Sequence, residues 1–176
     1  MARSIFSHQF TAVILTTVIL VWGFGPTGAH AQSDTKQENQ HKATVLQLIA
    51  DDVQQAQIDL GAPGLTLGDR RVFTDNLMLF QGGPRVGIAG GDCGVVRIDT
   101  GSNSFTYHCV VSLEFPEGLI TAQGLLTLTN GLPPPTFTLA VTGGTGRYEA
   151  VQGRIEIHSI AGTLSQLTLF LTKKAL

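Results

Sequence analysis

Charge is scarce in this sequence: 14% of its 176 residues are Asp, Glu, Lys or Arg, and 11 basic residues stand against 13 acidic ones. Such a balance excludes the clustered Lys and Arg face by which nucleic acid is held, and it leaves no basic patch for an anionic membrane surface. Among the histidines, His41, His108 and His158 share no metal-ligand spacing, so no metal and no cofactor is implied. Neither a G-x-S-x-G elbow nor a Ser-His-Asp set is present, which removes the common nucleophilic hydrolases. Helical periodicity is missing too, as is any internal repeat that would build a solenoid or propeller.

What is there is glycine, 21 residues of it, among β-branched and apolar residues. Together with the low charge, this composition predicts an all-β domain. The N-terminal segment is set apart from it. Arg3 supplies a positive end, residues 11–25 carry no charge, and Ala29-His30-Ala31 is a small-x-small cleavage site. The apolar run falls short of the roughly 20 residues that span a bilayer. Residues 1–31 therefore read as a signal peptide cleaved after Ala31, with a secreted or periplasmic product and no membrane contact after cleavage. Polar residues 32–42 read as a disordered leader, and residues 43–176 as one domain.

The stretch FTLAVTGGTGRYEAVQGRIEI, residues 137–157, shows the architecture most openly. Phe137, Leu139 and Val141 alternate with polar or small neighbours, the period-2 pattern of a strand with two different faces. Gly143, Gly144 and Gly146 then form one tight turn, and Val151, Ile155 and Ile157 alternate again beyond it. Because alternation resumes where a helix would have to start, the glycine cluster is not read as a phosphate cradle. Gly153 marks a bulge or a close backbone approach.

Further strands are predicted at residues 44–50, 71–80, 85–98, 105–115, 119–128 and 163–172, with a long connection over 51–66. Eight strands with mostly hairpin-length connections predict an antiparallel up-and-down β-barrel, since closure removes exposed edges; a sandwich is the alternative. On the second strand, Phe73, Asp75 and Leu77 share one face and Asn76 and Met78 the other, so the interior receives either Asp75 or Asn76. Cys93 and Cys109 flank a strand-turn-strand segment centred near Gly101, which sets them opposite each other for a disulfide; two buried thiols are the other reading.

Several motifs carry a resemblance as an ordered set: Leu67-Gly68-Asp69, Phe73-Thr74-Asp75-Asn76-Leu77, Arg85-Val86-Gly87-Ile88-Ala89-Gly90-Gly91-Asp92-Cys93, Ala122-Gln123-Gly124 and Leu139-Ala140-Val141-Thr142-Gly143-Gly144-Thr145-Gly146. In order and spacing the chain resembles the allene oxide cyclases, above all the secreted bacterial proteins of that barrel family. More remotely it is similar to the dirigent proteins. The resemblance implies an eight-stranded barrel, a homotrimer in some members, and an apolar cavity for a small hydrophobic ligand. By the same alignment Gln47 takes the place of a first-strand glutamate, Ile49 that of an asparagine, and Asp75 or Asn76 that of the FTN asparagine. Cys93 matches the cysteine after the glycine pair.

Asp75 and Gln47 are accordingly the candidate catalytic residues, and Asn76, Phe73, Ile49, Cys93 and Tyr107 the candidate ligand contacts. The expected function is cyclase- or isomerase-like action on an oxygenated apolar metabolite. The alternatives are a carrier without catalysis and a dirigent-like guide for radical coupling.

Overall fold

Eight strands close on themselves in sequence order, so the all-β barrel is the observed architecture. The computed structural model describes residues 42–173; the segment expected to be a signal peptide and nearly all of the expected leader lie outside the described residues. The strands are β1 (Lys42–Ile58), β2 (Arg70–Met78), β3 (Arg85–Asp99), β4 (Ser104–Phe115), β5 (Gly118–Thr129), β6 (Thr136–Gly144), β7 (Val151–Ala161) and β8 (Leu164–Lys173). Each pairs antiparallel with the next, and β1 closes the ring by pairing β8 through its first half and β2 through its second.

Alternation explains the interior. In β4, Tyr107, Cys109, Val111, Leu113 and Phe115 are buried while His108, Val110, Ser112 and Glu114 face solvent. Leu48, Leu77, Leu113, Ile120 and Leu169 are at most 1% exposed and form the packed core. Burying side chains of this size is worth about 1.5–3 kcal/mol each.

Two expectations are corrected. First, β1 does not end at residue 50: it continues to Ile58, and Lys42, placed in the leader, already belongs to it. The ladder with β2 shifts between Asp52 and Gln54, leaving Val53 as the extra residue of a β-bulge. A bulge flips the facing of everything after it, which erases the alternation by which a strand is recognised. Second, the link between β6 and β7 is no tight turn but six residues containing a 3-10 turn over Gly146–Tyr148. It is longer because it docks on the β4–β5 hairpin, where Thr145 N–H donates to Leu119 O and Arg147 N–H to Glu117 O. Gly146, at φ +59°, starts that turn.

Gly153 is a close approach. Its φ is +142°, and a Cβ there would overlap the Phe170 carbonyl oxygen of the neighbouring strand. Gly153→Ala is therefore expected to destabilise the barrel by more than about 1 kcal/mol; an unchanged urea midpoint would refute the close-approach reading.

Candidate functional site

A cavity of ≈ 650 Å³ occupies one end of the barrel interior. That volume lies within the range of small-molecule sites. The loops joining β1 to β2, β5 to β6 and β7 to β8 contribute Leu65, Pro133 and Thr163 to its rim. Most of the wall is apolar, from Phe73, Phe105, Tyr107, Leu126, Phe137 and Ile157. Room remains because Ala50 and Ala89 project where larger side chains would fill the space.

One wall is polar. Asp52 and Gln55 come from β1, Arg71 and Asp75 from β2. Asp52 faces inward in phase with Leu48 and Ala50, and the bulge at Val53 turns Gln55 inward as well, since without it residues 52 and 55 would face opposite ways. Arg71 Nη2 donates to Gln55 Oε1 at 2.6 Å and lies 3.7 Å from Asp52 Oδ2. Asp52 stands directly across the strand pair from Asp75. Burial above all, and then the Asp52 charge, push the Asp75 carboxyl up to about 6, against the opposing pull of Arg71. A carboxyl so placed changes charge close to neutral pH, which suits proton transfer.

The rim is held by Asp69, which is 2% exposed. Its Oδ1 accepts from Leu60 N–H and Thr66 Oγ1–H, and its Oδ2 from Thr66 N–H. These bonds, the Leu60 amide first, hold its carboxyl below the ordinary range. The same bonds fix the connection between Leu60 and Asp69, from which Leu65 lines the cavity. On another wall Cys93 and Cys109 are joined as a disulfide across paired positions of β3 and β4. Both line the cavity, so the bridge is part of the site's surface. A disulfide and the lack, among the described residues, of a helix long and apolar enough to cross a membrane are compatible with secretion.

Of the residues singled out from sequence, Asp75, Phe73, Cys93 and Tyr107 meet in this cavity. Gln47, Ile49 and Asn76 stand on the other side of their strands: Gln47 is exposed, and none of the three reaches the cavity. The reason is parity, since Leu48 and Ala50 on β1 and Leu77 on β2 are the buried residues beside them. Asp52, Gln55 and Arg71 were missed. Asp52 and Gln55 lie in a stretch read as a loop, and an Arg at a strand start reads as solvated; the only signal was the density of polar residues in Asp51-Asp52-Val53-Gln54-Gln55.

Comparison with known proteins places this geometry among others. The chain matches the family described as allene oxide cyclase barrel like domain over residues 36–168. No curated protein matches it. Among solved structures it is similar to a pyocyanin demethylase, with 29% identity, a TM-score of 0.62, and 73% of this chain and 100% of that one covered. It also shares its fold with the Diels-Alderase AbmU from Streptomyces koyangensis, at 16% identity, TM-score 0.61, and 77% and 70% coverage of the two chains. The pterocarpan synthase dirigent protein GePTS1 has the fold as well, at 18% identity, TM-score 0.60, and 85% and 100% coverage.

Proposed function

Because this chain belongs to the allene oxide cyclase barrel like family, we propose that its cavity binds a small, apolar, oxygenated metabolite and rearranges it intramolecularly, as a cyclase or isomerase. The observation that carries this reading is Asp75: a carboxyl on the polar wall of a cavity whose other walls are mostly apolar, with its proton held up to about pH 6. Asp75 is the base that takes a proton from the bound molecule and returns it elsewhere on the same molecule, so atoms balance without a co-reactant. The aromatic and aliphatic walls hold the molecule in one conformer, which by itself contributes much of the rate of a ring closure. Secretion or periplasmic delivery belongs to the same reading.

A second reading is favoured by the 29% identity to the pyocyanin demethylase across the whole of that protein: removal of a methyl group from a ligand held in the same cavity, with water as co-reactant, so that the methyl leaves as methanol and a proton from the water takes its place. A carrier is the third. Native mass spectrometry of the full chain purified from its producer, followed by incubation with candidate substrates, separates them. A product of the substrate's own mass supports rearrangement, a product lighter by one CH₂ supports demethylation, and a ligand returned unchanged supports carriage and sinks the catalytic proposal. The homotrimer implied by the resemblance is part of this proposal; a stable monomer in sedimentation at micromolar concentration would remove it.

A further inference from the structure

We propose that Asp52, held in place by Arg71, is a positioning residue that adds to burial in deciding when Asp75 carries its proton. The inference rests on the reading of Asp75 as the proton-transfer group. Its basis is geometric. Asp52 and Asp75 are Cα partners in the β1–β2 ladder, so their side chains leave the sheet on the same face, and both line the same cavity. Directly opposite residues of an antiparallel pair have Cβ atoms roughly 4.5–5.5 Å apart, a distance at which two carboxylates oppose each other's ionisation. Arg71, four residues before Asp75 on β2 and on the same face, lies 3.7 Å from Asp52 and donates to Gln55.

Burial acts first on Asp75, and the charges nearest to it come from Asp52 and Arg71. On the β3 side Asp75 faces Ala89, which does not titrate, and beyond it Cys93, whose sulfur is in the disulfide. Tyr107 of β4 is the ionisable group in the apolar wall. Asp51 points to the other side of β1, where it accepts from Thr163 Oγ1 at 2.6 Å, and it acts on Asp75 more weakly than Asp52 does. Arg71 lies beside Asp52, and the charge on Asp52 disfavours charge on Asp75. Alternation from Leu48 and Ala50 brings the second carboxylate inward, and the bulge at Val53 turns Gln55 to the same face, where it accepts from Arg71. A β-bulge beside a reactive group commonly serves to aim a side chain.

The test is a side-chain ¹³C-carboxyl NMR titration of the full chain, with the Asp75 signal assigned by its loss in Asp75→Asn. In Asp52→Asn the Asp75 midpoint is expected to fall by roughly 0.5–1 pH unit, and in Arg71→Gln to rise. Asp51→Asn is expected to move it less than Asp52→Asn. An unmoved midpoint in Asp52→Asn overturns the inference, and should that variant fail to fold, an unmoved midpoint in Asp52→Ser does the same. The readout needs no substrate, so the failures are distinguishable. Shifted midpoints without any turnover sink the proposed function and leave the coupling standing; turnover with an unmoved midpoint does the reverse. Where turnover is measured, the pH midpoint of kcat/KM is expected to shift in Asp52→Asn in the same direction as the NMR midpoint.

Discussion

Asp75→Asn is expected to abolish most turnover, by about 10²- to 10⁴-fold, while leaving ligand affinity nearly intact. An amide has the carboxyl's shape and keeps an acceptor and a donor, but it cannot take up a proton. Loss of kcat with little change in KM is therefore the signature of a proton-transfer role, whereas a merely structural Asp75 would lose both or neither. The control is Glu149→Gln on the exposed β6–β7 connection, which removes an acidic group far from the polar wall and leaves turnover unchanged. In the parent protein kcat/KM is expected to rise with pH and level off above about 6, where Asp75 is ionised. A profile falling through pH 6 would make Asp75 an acid in the free enzyme and reverse its assigned role.

The same substitution has an opposite effect on stability. Asp75 binds its proton more tightly in the fold than in the unfolded chain, because burial disfavours the charge. Its contribution is therefore fully present below the unfolded value of 3.8 and is lost as pH rises through about 6. Asn, which never ionises, avoids that loss. At pH 8 Asp75→Asn is expected to be more stable by about 1–2 kcal/mol after allowance for solvent screening, and at pH 3.5 the two proteins should melt together. Thermal melts at the two pH values check this. Greater stability bought with lost activity would mark Asp75 as a residue kept for function.

Removing the disulfide is the second large effect. The bridge closes a loop with a sequence separation of 16, for which loop-closure entropy predicts about 3 kcal/mol of stabilisation. For a domain of this size that is a fall in Tm of roughly 10 °C. Cys93→Ala with Cys109→Ala is expected to show it by calorimetry, and the native protein should release no titratable thiol on unfolding without reductant. Two titratable thiols would end the disulfide assignment in the purified protein. Ligand binding should weaken in the same variant, because both sulfurs face the cavity and two methyl groups leave part of that wall unfilled. A variant that melts lower yet binds as before would confine the bridge to a structural role.

How far the chain could be read before its fold was known follows from the range of the interactions involved. Strand order, hairpin connections and the Cys93–Cys109 pairing were legible because each depends on residues close in sequence: alternation of period 2 along β4, a turn near Gly101, and a register that such a short turn sets. That Phe73, Asp75 and Leu77 share a face was legible for the same reason. Which face is inside was not. Asn76 on the opposite side had an equal claim, and only closure of the sheet, with Leu77 fully buried beside Leu48 and Leu113 in the core, turned Asp75 toward the cavity.

The polar wall needed still more of the tertiary structure. Asp52 and Gln55 read as loop because a single extra residue, Val53, breaks the period on which strand recognition depends; the break is visible only against the partner strand that stays in register. Gln47 and Ile49 went the other way. A linear alignment gave them the places of site residues, but Leu48 and Ala50 take the interior, and neighbours in a strand cannot share a face. Local pattern and composition were enough for an all-β chain, the order of its eight strands and the placing of Cys93 opposite Cys109, since each depends on residues near one another in the chain. Closure of the barrel decided the contents of the cavity, because facing is a property of two strands together and the site is made where β1 and β2 meet.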